Sequence, residues 1–386
     1  MYASAEEPNA DTPNIGFENG NFTNWQLYTG YYSLQVSPDK DSSVVYDWKS
    51  VQWSEAKDRF DIMNLHKDDD IIACSEFKKV PADLSLTARI GNPGRSEGET
   101  HSNTGRAYAE RMVYTFTVTE NTTLLNYRYA CVVEDPSNAT NPHNGIQRPT
   151  FQVNITSFDP VLNQPVTLPC AQFEAIANNA SSDLSQNPKC AASSVGANKS
   201  VNYWYKNWTS AAIDLRAYVG QKVTIEIVNH DCLSGADYHA GAHDAYGYFW
   251  AETRKLELIS KNCGEEDPTI TAPDGFDTYQ WSRSDNGVIN LDPQNPSVVS
   301  IPRAALFDGV SYSCSMKNSG TDCGAIEMST QLTPIEVKVK FTAIDTCGGK
   351  VIFKNNSTCL NDSIVSYSWN FGDGIYAFTR DAEHYY

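Results

Sequence analysis

Ile213-Asp214-Leu215-Arg216-Ala217-Tyr218-Val219-Gly220-Gln221-Lys222-Val223-Thr224-Ile225-Glu226-Ile227 is the stretch on which the fold turns. Its second half alternates, with Val223, Ile225 and Ile227 apolar and Thr224 and Glu226 polar. Successive side chains of a strand point to opposite faces. The apolar series therefore enters a core and the polar series faces outward. Asp214 and Tyr218-Val219-Gly220 supply turn chemistry ahead of the strand, and Leu215 and Tyr218 read as packing residues.

The same period recurs on either side. Residues 113–118, 124–133, 151–155, 222–228, 255–259 and 336–342 alternate and are rich in β-branched and aromatic side chains. Turn residues separate them, and helical periodicity is almost absent. The expectation is an all-β chain of sandwich modules. At 386 residues it is long enough for two or three domains with real cores.

Composition excludes several classes of partner. Forty-seven acidic against 29 basic residues leave a net charge of -18, which opposes binding to nucleic-acid backbones or anionic membranes. No run approaches the roughly 18 consecutive apolar residues of a membrane helix. The ten cysteines are Cys74, Cys131, Cys170, Cys190, Cys232, Cys263, Cys314, Cys323, Cys347 and Cys359, with no C-x-x-C pair among them. That spread suits structural disulfides in an oxidising compartment better than zinc or redox chemistry. Sequence leaves the connectivity open; local bridges such as Cys170–Cys190 and Cys347–Cys359 are one expectation, and Cys263 with Cys314 or Cys323 another. Sequons occur at Asn121, Asn154, Asn207 and Asn361, among others.

Catalytic patterns are missing. There is no G-x-S-x-G, phosphate-binding glycine loop or H-E-x-x-H. His239-Ala240-Gly241-Ala242-His243 has zinc-pair spacing, but in a glycine-bearing loop without the glutamate base, so a loop is the favoured reading. Asp68-Asp69-Asp70 lacks the alternating ligands of a calcium loop and reads as a solvated turn. Sugar recognition needs aromatic faces beside polar groups. The candidates are Trp204 and Tyr205, within the aromatic and polar run 202–208, together with Trp48 and Trp53. Tyr31, Tyr32 and Trp208 are also eligible, the last more suited to starting a buried strand.

Three resemblances join these readings. Trp369-Asn370-Phe371-Gly372-Asp373-Gly374 followed by His384-Tyr385 resembles the W-x-F-G-D-G … H-x-Y pattern of PKD domains, extracellular β-sandwich spacers. Trp281 and Tyr312-Ser313-Cys314 look like the third-strand tryptophan and tyrosine corner of immunoglobulin-like modules. Asn14-Ile15-Gly16-Phe17-Glu18-Asn19-Gly20 with Trp25, the 213–227 stretch, Asp231-Cys232 and Tyr246–Glu252 resemble successive motifs of jelly-roll carbohydrate-binding modules. The implied order is a jelly-roll domain at 1–261, an immunoglobulin-like domain at 262–334 and a PKD domain at 335–386, truncated because the family continues beyond its H-x-Y. The order resembles modular surface adhesins of the Bacteroidetes. A fragment is expected, its export signal replaced by Met1.

The jelly-roll resemblance further implies a structural calcium at Glu18, with Glu252 in the place of the family's last-strand aspartate and Asp231 or Asp47 contributing. Its role would be rigidity. The expected function is non-enzymatic adhesion or display at the outer cell surface, by a secreted protein whose partner is a glycan or a neighbouring-cell ligand. The alternative is a carbohydrate-binding module within a glycan-recognising or glycan-degrading protein.

Overall fold

The computed structural model describes residues 9–36, 42–64, 78–91, 107–135, 148–159, 162–176, 184–186, 202–232, 245–262, 267–307, 309–321, 323–332, 336–346, 348–360 and 363–386. The chain divides into two compact units. One comprises Met1–Leu256, Gly275–Asp277 and Lys317–Gly324; the other comprises Glu257–Asp274, Thr278–Met316 and Ala325–Tyr386.

The first unit is built from strands β1 (Gln26–Val36), β2 (Ser42–Val51), β3 (Phe60–Asn64), β4 (Leu86–Ile90), β5 (Ala107–Thr117) and β6 (Leu124–Asp135). These are followed by β7 (Thr150–Asp159), β8 (Gln164–Ile176), β9 (Ser185–Gln186), β10 (Asn202–Asp214), β11 (Lys222–His230) and β12 (Ala245–Arg254). They form two six-stranded antiparallel sheets, ordered β2-β1-β5-β11-β7-β8 and β3-β4-β12-β6-β10-β9. From β5 onward the chain passes back and forth between the sheets, the jelly-roll arrangement of a β-sandwich. The fold is all-β, as the alternation predicts.

Register explains the core. Val223, Ile225 and Ile227 stand opposite Phe116, Tyr114 and Met112 of β5, and opposite Ser157, Ile155 and Val153 of β7. All three are fully buried, as is Leu215, and Tyr218 packs half-buried against the same cluster. The opening motif is also interior. Phe17 stacks on Trp25 at 5.1 Å, and the Trp25 Nε1–H donates to the Asn14 carbonyl at 3.2 Å. Asn14 and Phe17 both take positive φ, an uncommon geometry for residues other than glycine.

The second unit holds smaller sheets. Ile259–Lys261, Thr269–Thr271, Asn295–Ser300 and Asn290–Asp292 form one; Thr278–Arg283, Ser311–Lys317 and Ile326–Gln331 form another. Ile270, Val299, Ile301, Tyr312 and Leu332 make their core, with Trp281 half-buried beside it. The tyrosine-corner expectation fails in its defining bond. Among the described residues the buried Tyr312 hydroxyl has no hydrogen-bond partner, and Arg283 lies over its ring at 5.3 Å. Described strands from 336 onward pair only among themselves. There Trp369 and Phe371 pack on Phe353 at 5.7 and 5.4 Å while Asn370 points to solvent. Gly372 and Gly374 adopt the positive φ that the turn requires, and Asp373 Oδ2 meets His384 Nε2 at 2.7 Å.

Two strand boundaries differ from the sequence reading. The strand expected at 255–259 begins only at Ile259, because β12 ends at Arg254 and an irregular segment follows. The run 336–342 splits into Glu336–Lys338 and Phe341–Asp345, which belong to different sheets. Cys131 and Cys314 are buried thiols that burial pushes up to about 12, and Cys170 is an exposed one. The expected pairing of Cys263 with Cys314 or Cys323 falls on a cysteine outside the described residues. Cys74, Cys190, Cys263 and Cys347, and with them two proposed local bridges, lie outside the described residues. No helix among the described residues is long and apolar enough to cross a membrane.

Candidate functional site

The outer face of the first sheet carries a chemistry unlike its inner face. One row across it reads Ser50, Tyr28, Arg111, Val228, Gln152 and Glu174, paired strand by strand from β2 to β8. The next row begins with Trp48 opposite Gly30, and the next with Tyr46 opposite Tyr32. On the central strands these residues neighbour core residues in sequence, as Leu27 beside Tyr28 and Met112 beside Arg111, so there the period-2 alternation sorts ligand chemistry from core. At the edge strand β2 the flanking Val45, Asp47 and Lys49 are exposed.

Tyr46 and Trp48 stack at 4.8 Å between centroids, 11° from parallel. The Arg111 guanidinium lies over the rings of Tyr28 and Trp48 at 5.1 and 6.0 Å and pairs with Glu226. Gln152 donates to the Glu174 carboxylate. Gly30 has a steric cause: a Cβ there would sit 2.2 Å from the Asp47 carbonyl oxygen. Its bareness leaves the neighbouring Trp48 ring unobstructed on that strand.

Burial, reinforced by the carboxylates of Glu174 and Glu226, pushes the Tyr46 phenol up to about 12. Between β2 and β11 the flat-sheet spacing is roughly 14 Å. Yet the Tyr46 ring comes within 6.2 Å of the His230 ring, so side chains of the edge strand lean back over the sheet and frame a groove. Beneath it, His230 is fully buried against Tyr32 at 4.2 Å, with Tyr46 at 6.2 Å. His230 Nδ1 is 3.0 Å from the Asp231 carbonyl, so that nitrogen carries the proton and donates. Burial depresses the imidazole to about 4, against the smaller opposing effect of that bond.

The sequence candidates separate. Trp48 stands in the groove. Trp53 lies in a short 3-10 turn at its margin, donates from Nε1 to the Phe60 carbonyl at 2.9 Å and packs edge-on against Phe22. Trp204 packs half-buried against the main core, while Tyr205 points to the opposite side of the second sheet with Trp208 and Tyr248. Neither belongs to the groove. Trp208 donates to the Lys78 carbonyl at 2.7 Å. The residues that sequence reasoning missed are Tyr28, Tyr46, Arg111, Gln152, Glu174 and Glu226. Their signal was present as polar or aromatic residues interleaved with apolar strand positions.

Of the calcium trio, Glu18 and Glu252 are close enough for their charges to interact. Burial raises Glu18 above the usual carboxylate range, and the charge of Glu252 adds to the effect. Glu18 Oε1 accepts the Gly16 N–H at 3.0 Å. Glu252 Oε1 accepts from Asn126 Nδ2 at 3.1 Å and Arg254 Nη2 at 2.6 Å, so Arg254 already supplies positive charge there. Asp231 accepts the Ala245 N–H at the opposite end of β12, seven residues or roughly 23 Å from Glu252. Among the described residues, no group of three or more His, Cys, Asp or Glu is placed to hold a metal ion. His239, His243 and Asp68-Asp69-Asp70 lie outside them.

No family model and no curated protein matches the chain. Among solved structures, it is similar to TmCBM61 in complex with β-1,4-galactotriose, at 7% identity and a TM-score of 0.27, covering 64% of this chain and 99% of that one. A carbohydrate-binding module specific for non-crystalline cellulose, CBM28, gives 11% identity, a TM-score of 0.25 and coverages of 64% and 93%. The adhesin domain of Epf from Streptococcus pyogenes gives 9%, 0.19, 78% and 91%. Likenesses this distant identify neither a family nor a ligand.

Proposed function

We propose that the N-terminal sandwich is a non-catalytic carbohydrate-binding domain whose ligand lies on the outer face of the first sheet. The observation that carries this reading is the grouping of Tyr28, Tyr46 and Trp48 with Arg111, Gln152, Glu174 and Glu226 on one face of the sheet. Aromatic rings offer an apolar surface to sugar C–H groups, and the amides and ion pair offer directional hydrogen bonds to hydroxyls. Catalysis fits poorly. Glu174 and Glu226 stand two strands apart and out of step, which puts their Cα atoms roughly 12 Å apart, and Arg111 and Gln152 already engage them.

The remaining segments read as spacers, in a secreted, surface-displayed protein acting in adhesion. The PKD resemblance of 369–386 favours that role, and the aromatic cluster around Trp369 agrees with a sandwich spacer. A calcium ion held by Glu18 and Glu252 is a separate proposal, since both are hard oxygen donors.

A glycan array on the full chain tests the main reading. Saturable binding to one sugar class should fall about 30-fold in Trp48→Ala, the loss of ~2 kcal/mol expected of a central aromatic contact. Binding that survives Trp48→Ala unchanged would refute the groove.

A further inference from the structure

The outer face does not end at its aromatic stack. Two residues along β2 from Trp48 comes Ser50, opposite Tyr28, and both line an open cleft of about 650 Å³ at the margin of the sheet. Thr23, Gln26, Gln52 and Trp53 line it too, over a floor of core side chains. Tyr28 donates its hydroxyl to Gln26 Oε1 at 2.9 Å, so a single residue is shared by groove and cleft. The cleft has no charged residue among its lining. It offers aromatic rings, hydroxyls and carboxamides, and those groups satisfy uncharged polyols. The nearby cations reach it only by way of lining rings, Arg111 over Tyr28 at 5.1 Å and Lys57 over Trp53 at 5.7 Å. Arg111 is already paired with Glu226, so an anionic ligand would meet no cation in the lining itself.

Resting on the carbohydrate reading above, we propose that this cleft is a second subsite, and that the ligand is an internal stretch of an uncharged polysaccharide lying along β1 and β2. Tyr46 and Ser50 are four strand residues apart, about 13 Å, and the cleft lies beyond Ser50. No single pyranose spans that path. The groove supports the same ligand class. Its one described cation near the aromatic stack, Arg111, is taken by Glu226, and Glu174 leaves the surrounding charge negative. Uronic or sulfated chains would be repelled.

The test is calorimetric titration of the full chain with gluco-, manno- and galacto-oligosaccharides of two to six sugars, with polygalacturonate and heparin as acidic comparators. For the series that binds, affinity should rise at least tenfold from two sugars to six. The exposed double substitution Gln26→Ala/Gln52→Ala should cost the hexasaccharide tenfold and leave the disaccharide within twofold, at an unchanged melting temperature. Affinity flat with length, an equal loss at both lengths, or tighter binding of either acidic polymer would overturn the subsite while leaving the groove intact. Absence of binding by every sugar, or binding indifferent to Trp48→Ala, would overturn both.

Discussion

Acid should loosen the groove from beneath through His230. The imidazole is held neutral at about 4 in the folded chain, against 6.5 in the open chain. Between those values the unfolded chain binds a proton that the folded chain refuses, so stability falls as pH drops through this window and is fully present above it. The gap of about 2.5 pH units, at about 1.36 kcal/mol each, sets a ceiling of about 3.4 kcal/mol. At pH 5, where the folded imidazole is still neutral, the loss relative to pH 7 is about 2 kcal/mol. The assay is urea unfolding, followed by tryptophan fluorescence, of the wild type and His230→Gln at pH 7 and pH 5. Glutamine keeps a donor for the Asp231 carbonyl but does not titrate. Glu110, whose carboxyl burial raises, works in the opposite sense: its preference for protonation in the fold adds stability as pH falls. It is common to both proteins and cancels in the comparison. The wild type should lose about 2 kcal/mol more than the variant, and sugar affinity should weaken alongside, because Tyr32 and Tyr46 rest on the ring. Equal pH slopes in the two proteins would refute the reasoning.

Gly247→Ala should cost about 1–3 kcal/mol, read as a lower urea midpoint, because the new methyl would lie 2.2 Å from the buried Phe151 ring; an unmoved midpoint would show that the ring can retreat. Chelation with EDTA should lower the melting temperature by several degrees if calcium bridges Glu18 and Glu252, and an unchanged melting curve removes the ion from the account.

Most of the sandwich was legible because burial imposes a period of two. Val223, Ile225 and Ile227 declare their face without help from the rest of the chain. The boundaries at 255–259 and 336–342 were less legible, since apolar alternation continues through a bend where pairing stops. The binding face was nearly silent for a different reason. Tyr28, Trp48, Arg111, Gln152 and Glu226 come from five strands, and only cross-strand register brings them together. The run 202–208 drew attention because its aromatics are adjacent in sequence, but adjacency in a strand means opposite faces. Trp204 turns inward and Tyr205 outward, onto separate clusters. Tyr312 misleads similarly: Tyr-x-Cys spacing specifies a buried ring but not the partner of its hydroxyl.

Leu27 sits beside Tyr28, Met112 beside Arg111, Val153 beside Gln152 and Ile227 beside Glu226, each pair one residue long and split between interior and groove. The chain thus carries two interleaved texts, one read by the core and one by the ligand. Substitution can rewrite the second without disturbing the first, so descendants of this domain could change their sugar while keeping their interior. Insertion of one residue within β5 or β11 has no such freedom. It would exchange the two texts from that point onward, sending arginine and glutamate inward and methionine and isoleucine to the water.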